Sequence, residues 1–360
     1  MDAKIFLRAI EKFSNSRSSK SVLVGFDGFV DNILYAVDKR YDKSSYKRIE
    51  TIEDFGKRIL AAKGKSTNIE LVSQKIKMGG NAPLMANPFL NYDISVSFMG
   101  AIGKPEIEPV FKDFYQKCSF ALSLENPGYT QALEFNDGKI MLGQMNHLFN
   151  VNWQNIKENL SEDKIKNLVL NSSLFAFTNW TMLPGLNSII KGFSEYFTQN
   201  PHVFIDLADP QKLTQKDLSE ILMLLKEISQ KSKIIFGMNK KESEQIAEIL
   251  KIDVEDLSER ADAIREHLNL DTVLLHSLKF AIVSTKEKSV YLSAPYEPKP
   301  LLTTGAGDTL NGGFCSAILY GLLPEEALAV ALFTVGYYVR KGYSPNKNQL
   351  IEFAKDYFKK

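Results

Sequence analysis

A chain of 360 residues with 44% apolar content is long enough to bury a large core, which excludes a small disulfide-stapled scaffold. Lysine and arginine number 44 against 43 aspartates and glutamates, a formal net charge of +1, so no basic excess exists to neutralise phosphates and nucleic acid is not an expected partner. Two widely separated cysteines, Cys118 and Cys315, fit a reducing compartment, the cytoplasm, and no apolar run reaches the about 18 residues that would indicate a membrane span.

The first 20 residues alternate charged and apolar side chains as an amphipathic helix does. Buried-looking β-rich runs follow at 22–26, 94–99, 174–177, 203–207, 234–238, 273–276 and 280–284. Helical stretches lie between several of them, at 82–90, 107–117, 186–197, 217–230 and 241–250. This β-α repetition predicts a parallel sheet covered on both faces. Two regions break the pattern. Residues 29–78 carry strand-like pieces around one helical insert at 52–62. Residues 120–146 alternate as hairpin strands, with a turn at Asn136-Asp137-Gly138. Both are expected to form one small β-rich lid on a single domain spanning 1–360. The tail from Thr309 onward reads as three helices, broken near Leu323-Pro324 and at Tyr343-Ser344-Pro345.

The segment Thr303-Thr304-Gly305-Ala306-Gly307-Asp308-Thr309 runs straight into an apolar helix. Glycines allow close backbone approach to a ligand, and a helix start offers unpaired N–H groups to an anion. A carboxylate repels phosphate, so Asp308 has a place in such a cradle if it accepts a proton from an attacking hydroxyl; the plainer reading is a helix cap. His147, His202, His267 and His276 never fall at H-x-x-x-H spacing and read as surface or packing residues rather than metal ligands. Gly64-Lys65-Ser66 imitates the end of a P-loop, but Ile59 stands where its first glycine belongs.

GAGDTLNGG at 305–313 resembles the second signature of the ribokinase-like (PfkB) carbohydrate kinases, and other segments match in order. Gly79-Gly80-Asn81-Ala82 resembles the family's Gly-Gly-Asn sugar-binding motif. Val24 through Asp31 resembles its first strand with a substrate-binding aspartate, for which Asp31 is favoured and Asp27 stays in contention. Asn239-Lys240-Lys241-Glu242 resembles the N-x-x-E element, and 340–345 resembles the late loop of the nucleotide region. The resemblance implies a three-layer α/β/α sandwich with a mostly parallel central sheet and a β-rich lid. It implies a sugar kinase that uses ATP and Mg2+, with Asp308 as general base and Gly305, Ala306 and Gly307 as the anion hole. Gly79, Gly80, Asn81 and an N-terminal aspartate would hold the acceptor, while Asn239, Glu242 and Thr304 would serve the nucleotide and its water-held magnesium.

Two departures stand out. Leu302 occupies the position of a family aspartate that helps hold a monovalent cation, so the resemblance does not extend to that cation. The family's Thr-x-Gly-x-x-Gly nucleotide loop reads His276-Ser277-Leu278-Lys279-Phe280-Ala281, where Lys279 is either an electrostatic substitute or an ordinary hairpin lysine. A non-catalytic sugar- or nucleotide-binding regulator and a nucleoside kinase are the alternatives. The exposed edge of a β-rich lid leads to the expectation of a homodimer through that lid.

Overall fold

The computed structural model describes residues 3–359. In chain order its strands are β1 (Ser21–Phe26), β2 (Phe29–Arg40), β3 (Tyr46–Arg48), β4 (Leu71–Gly79), β5 (Ser95–Ala101), β6 (Phe120–Glu125) and β7 (Gly128–Phe135). There follow β8 (Gly138–Gln144), β9 (Leu174–Phe177), β10 (His202–Asp206), β11 (Lys233–Asn239), β12 (Thr272–His276), β13 (Phe280–Thr285) and β14 (Ser289–Ser293).

Nine strands form one large sheet in the order β14-β13-β12-β11-β10-β9-β1-β5-β6. From β12 to β6 every pairing is parallel, and β13 and β14 complete the other edge antiparallel. The strands are apolar on both faces because both faces are covered. Along β1, Val22 and Val24 enter one core with Phe98, Ala176 and Phe204, while Leu23 enters the opposite one with Phe175, Ile205 and Phe236. Helices Ala3–Asn15, Asn81–Asn91, Ala306–Leu319, Pro324–Lys341 and Lys347–Lys359 cover the first face. Helices Leu186–Ser194, Gln215–Ile228, Lys240–Leu250 and Leu257–His267 cover the second. The result is an α/β/α sandwich, and the three tail helices break where the sequence places the breaks. Among the described residues no helix is long and apolar enough to cross a membrane.

A second, five-stranded sheet is centred on β2, which pairs antiparallel with β3 and β4 and parallel with β7. β7 turns back into β8 through Asn136-Asp137. Helix Ile52–Leu60 covers one face of this lid, over Leu34, Ala36, Leu133 and Phe135. Asp31 and Thr130, paired in register, point from the other face into a cavity. One boundary departs from expectation. Residues 120–125, expected in the lid, are β6 and form the edge of the large sheet beside β5, so the lid's second part begins at Gly128. β6 is covered only in part, five of its six residues being partly exposed, and its Leu122-Ser123-Leu124-Glu125 run alternates apolar and polar residues as a hairpin strand does.

Candidate active site

In an open parallel sheet the strand carboxyl ends leave a crevice that helices do not fill. Here that crevice collects Asp27 just past β1, Asn179 just past β9, Asp206 ending β10, Asn239 ending β11 and His276 ending β12. It holds two cavities. The lid-side cavity, of about 550 Å³, is lined by Asp31, Gly80 and Asn81 near the lid and by Asp206, Glu242 and Asp308 across from them. The outer groove, of about 630 Å³, runs between Asn239–Glu244, the His276–Leu278 turn, the loop at Ala294–Pro300 and helix Pro324–Lys341. They meet at Asn239, His276 and Gly307, which line both.

Gly305 caps helix Ala306–Leu319 with φ +83, a conformation open to glycine at little strain. A Cβ there would stand 2.8 Å from Leu84 Cδ1 and 2.9 Å from the Tyr338 hydroxyl. That hydroxyl donates to the Thr304 carbonyl at 2.7 Å, and so fixes the loop from behind. Among the described residues none accepts from the N–H groups of Gly305, Gly307 or Asp308, whereas Ala306 N–H donates to Thr303 O at 3.1 Å. Three N–H groups without an acceptor thus belong to residues that line the lid-side cavity, Gly307 lining the groove as well, and Ala306, expected among the donors, spends its own on the turn.

Asp308 sits in the first turn of that helix, 8% exposed, and hydrogen-bonds the Asn81 side chain. Burial raises its pKa well above the ordinary aspartate value, and Asp206, Asp27 and Glu242 add repulsion. Asp206 is pushed up to about 8 by burial and by Glu242, against hydrogen bonds donated by Ala208 N and Asn311 Nδ2 at 2.8 and 2.9 Å. Glu242 is raised by burial too; its Oε2 accepts from Asn239 N at 2.7 Å and its Oε1 from Asp209 N at 3.1 Å. Asn239 completes a reciprocal capping box at this helix start.

The two N-terminal aspartates part company. Asp27 is fully enclosed and accepts from Asn81 N and Ala82 N at 2.8 Å each and from Asn179 Nδ2 at 2.7 Å. It is spent on starting helix Asn81–Asn91 and does not line the cavity. Asp31 lines it, 4% exposed, with burial raising its pKa against nearby Lys77 and a hydrogen bond with Thr130. Gly79 makes room for this carboxylate, since a Cβ there would stand 2.5 Å from Asp31 Oδ2. Gly80, at φ +98, lets the chain turn from β4 into the helix. Lys279 is not brought into the groove lining; its ammonium stands 5.5 Å from the Tyr296 ring centre, while Lys240 and Lys241 line the groove instead.

Sequence reasoning missed Asp206 and Asn311. The signal for Asp206 was a carboxylate ending a buried strand and entering the turn Leu207-Ala208-Asp209-Pro210. For Asn311 it was the i, i+3 spacing from Asp308 along one helix. His276, expected as a surface or packing residue, lines both cavities. Its pKa is held down to about 4 by burial, so the imidazole is neutral at pH 7.

This sheet order, this lid and a buried carboxylate over a glycine-lined helix mouth define a ribokinase-like (PfkB) kinase. The model of the prokaryotic ketohexokinase family matches residues 3–357, and the chain belongs to that family of sugar kinases. It is 26% identical over 345 residues to a ketohexokinase of Haloferax volcanii, covering 93% of this chain and 91% of the relative. A nucleoside kinase of Methanocaldococcus jannaschii is 29% identical over 124 residues, 34% of this chain and 38% of its own. In three dimensions the chain resembles the ribokinase of Thermotoga maritima, with a TM-score of 0.66 and 17% identity over 94% of this chain and all of that one. Arabidopsis thaliana ribokinase complexed with ribose and ATP gives a TM-score of 0.66 and 16% identity over 93% and 99%.

Proposed function

We propose that this protein transfers the γ-phosphoryl group of ATP to a hydroxyl of a ketohexose. The observation that carries the reading is Asp308, a buried carboxylate beside three free N–H groups where an acceptor-sized cavity meets a longer groove. Asp308 accepts the proton of the acceptor hydroxyl as that oxygen attacks the γ-phosphorus. The bond from phosphorus to the β–γ bridging oxygen breaks, and ADP leaves through the groove. The N–H groups of Gly305, Gly307 and Asp308 stabilise the transferring oxygens. Asp31, Gly80 and Asn81 hold the acceptor's other hydroxyls, and the lid closes to exclude water. Thr304, whose carbonyl is held by Tyr338, sets the reach of the cradle.

The residues suit magnesium. Glu242 raises the pKa of Asp206, and both raise that of Asp308, in one buried wall, an arrangement that a divalent cation relieves. Among the described residues no group of three or more His, Cys, Asp or Glu is placed to ligate a metal, so Glu242 and Asn239 would hold the ion through water. When bound it supplies charge neutralisation at the phosphates. The exposed β8 edge supports a homodimer through the lid.

The test is nucleoside diphosphate release with ATP, magnesium and a panel of ketohexoses, aldohexoses, pentoses and nucleosides. A ketohexose should give the highest kcat/KM. Preference for a nucleoside would favour the relationship to the nucleoside kinase, and binding of an ATP analogue without turnover on any acceptor would leave a regulator.

A further inference from the structure

We propose that His276 acts on the phosphoryl group in flight, donating a hydrogen bond from Nε2–H to a non-bridging oxygen of the donor's terminal phosphate. The inference rests on the phosphotransfer reading above. Three residues line both cavities, and the transferred group must pass the point where those cavities meet. Of the three, Gly307 belongs to the N–H cradle and the Asn239 side chain accepts from Glu242 N, which leaves one unassigned side chain. The His276 ring lies against the cradle. A Cβ built on Gly307 would stand 3.3 Å from His276 Cε1 and 3.6 Å from Nε2. Among the described residues no protein group hydrogen-bonds either ring nitrogen, although most polar side chains around the junction have partners.

The backbone that carries the ring is also held in place. β12 registers His276 against Asn239 of β11 on one side and Ala281 of β13 on the other. The following turn is closed by Ser277 N donating to Phe280 O at 2.8 Å. A donor fixed at a rigid strand end needs no reorganisation as charge builds on the phosphoryl oxygens, which is the condition for effective electrostatic stabilisation. The neutral imidazole carries one N–H and one lone pair, so it can donate without adding a full charge beside Lys240 and Lys241. Where this family resemblance leads one to expect small residues presenting backbone, this chain places a side-chain donor.

The experiment compares wild type, His276→Leu, which keeps bulk and removes the donor, and His276→Gln, which returns an N–H near the position of Nε2. With ATP and the best ketohexose, His276→Leu should lower kcat by roughly 100-fold, the effect of deleting one such donor. The KM of the sugar should stay within about twofold, since the acceptor's hydroxyls are held by Asp31, Gly80 and Asn81 on the lid side of the cavity and not by the ring. His276→Gln should recover about tenfold of the lost kcat. Thermal unfolding of both variants is followed alongside. Equal turnover of the leucine and glutamine variants, whether fast or slow, overturns the assignment and leaves a packing role. A loss confined to the KM of ATP overturns it as well, because the ring would then touch only the resting nucleotide. Absence of wild-type turnover on every sugar overturns the function proposed above, and the role of His276 with it.

Discussion

At Asp308 burial and charge repulsion act in the same direction, and both oppose ionisation. A base must be ionised to accept a proton, so kcat/KM should fall as pH drops through that raised value rather than near the ordinary aspartate pKa of about 4. A pH–rate profile showing its acid limb at or below pH 4 would contradict the assignment. Asp308→Asn keeps the shape and removes the base; kcat should drop by about 100- to 10,000-fold while ADP binding by calorimetry stays near wild type. Asp206 makes a separate prediction about stability. Its folded pKa of about 8 lies above the unfolded 3.8, so the folded chain binds the extra proton between them. The stabilisation is complete below the unfolded value and is lost as pH rises through about 8. With magnesium chelated and no nucleotide present, Asp206→Asn should therefore raise the melting temperature at pH 9 relative to wild type, and by about half as much at pH 6. Equal melting temperatures at pH 9 would show that Asp206 is relieved by some other group.

The elements around the site show why its parts are laid out as they are. β4 ends at Gly79, and a side chain there would occupy the space of the Asp31 carboxylate in the neighbouring strand β2. Gly79→Ala should displace Asp31, raising the KM of the sugar about tenfold or more while leaving the KM of ATP alone, because the groove is built from other elements. A matched rise in both constants would mean that the whole crevice had shifted. This junction was legible in the sequence only through the order of its motifs, since a Gly-Gly-Asn step at a helix start is common on its own. Legible too were the inner strands of the large sheet, whose unbroken apolar runs follow from burial on both faces. β6 was not, because an edge strand with one half-open side carries the same alternation as a lid strand. The choice between Asp27 and Asp31 was illegible for another reason. Both follow one strand within five residues, and only the fold reveals that helix Asn81–Asn91 begins against Asp27 and consumes its carboxylate. The Asp206, Glu242 and Asp308 cluster comes from three segments some tens of residues apart, and no local pattern joins them.

Taken as a whole, the molecule is a large sheet whose crevice is roofed by a smaller one, and the roof has an uncovered side. Among the described residues β8 pairs only with β7, leaving its other edge open. Successive residues of a strand point to opposite faces, so Met141 reaches into the acceptor cavity while its neighbour Leu142, 53% exposed, points away from it. Ile76 of β4 is exposed as well. An open strand edge carrying apolar side chains is prone to pairing, and a second copy of the chain would cover it. A dimer formed this way would brace the strand that carries Met141, and would couple assembly to acceptor binding through β8. Light scattering at assay concentration should give twice the mass of one chain. Leu142→Lys should shift the protein to monomer and raise the KM of the sugar several-fold, with the KM of ATP unchanged, since the groove lies beyond the reach of β8. A wild-type protein that is wholly monomeric at working concentration would remove the dimer. A Leu142→Lys monomer with unaltered sugar KM would remove the coupling alone and show that Met141 is positioned within its own chain.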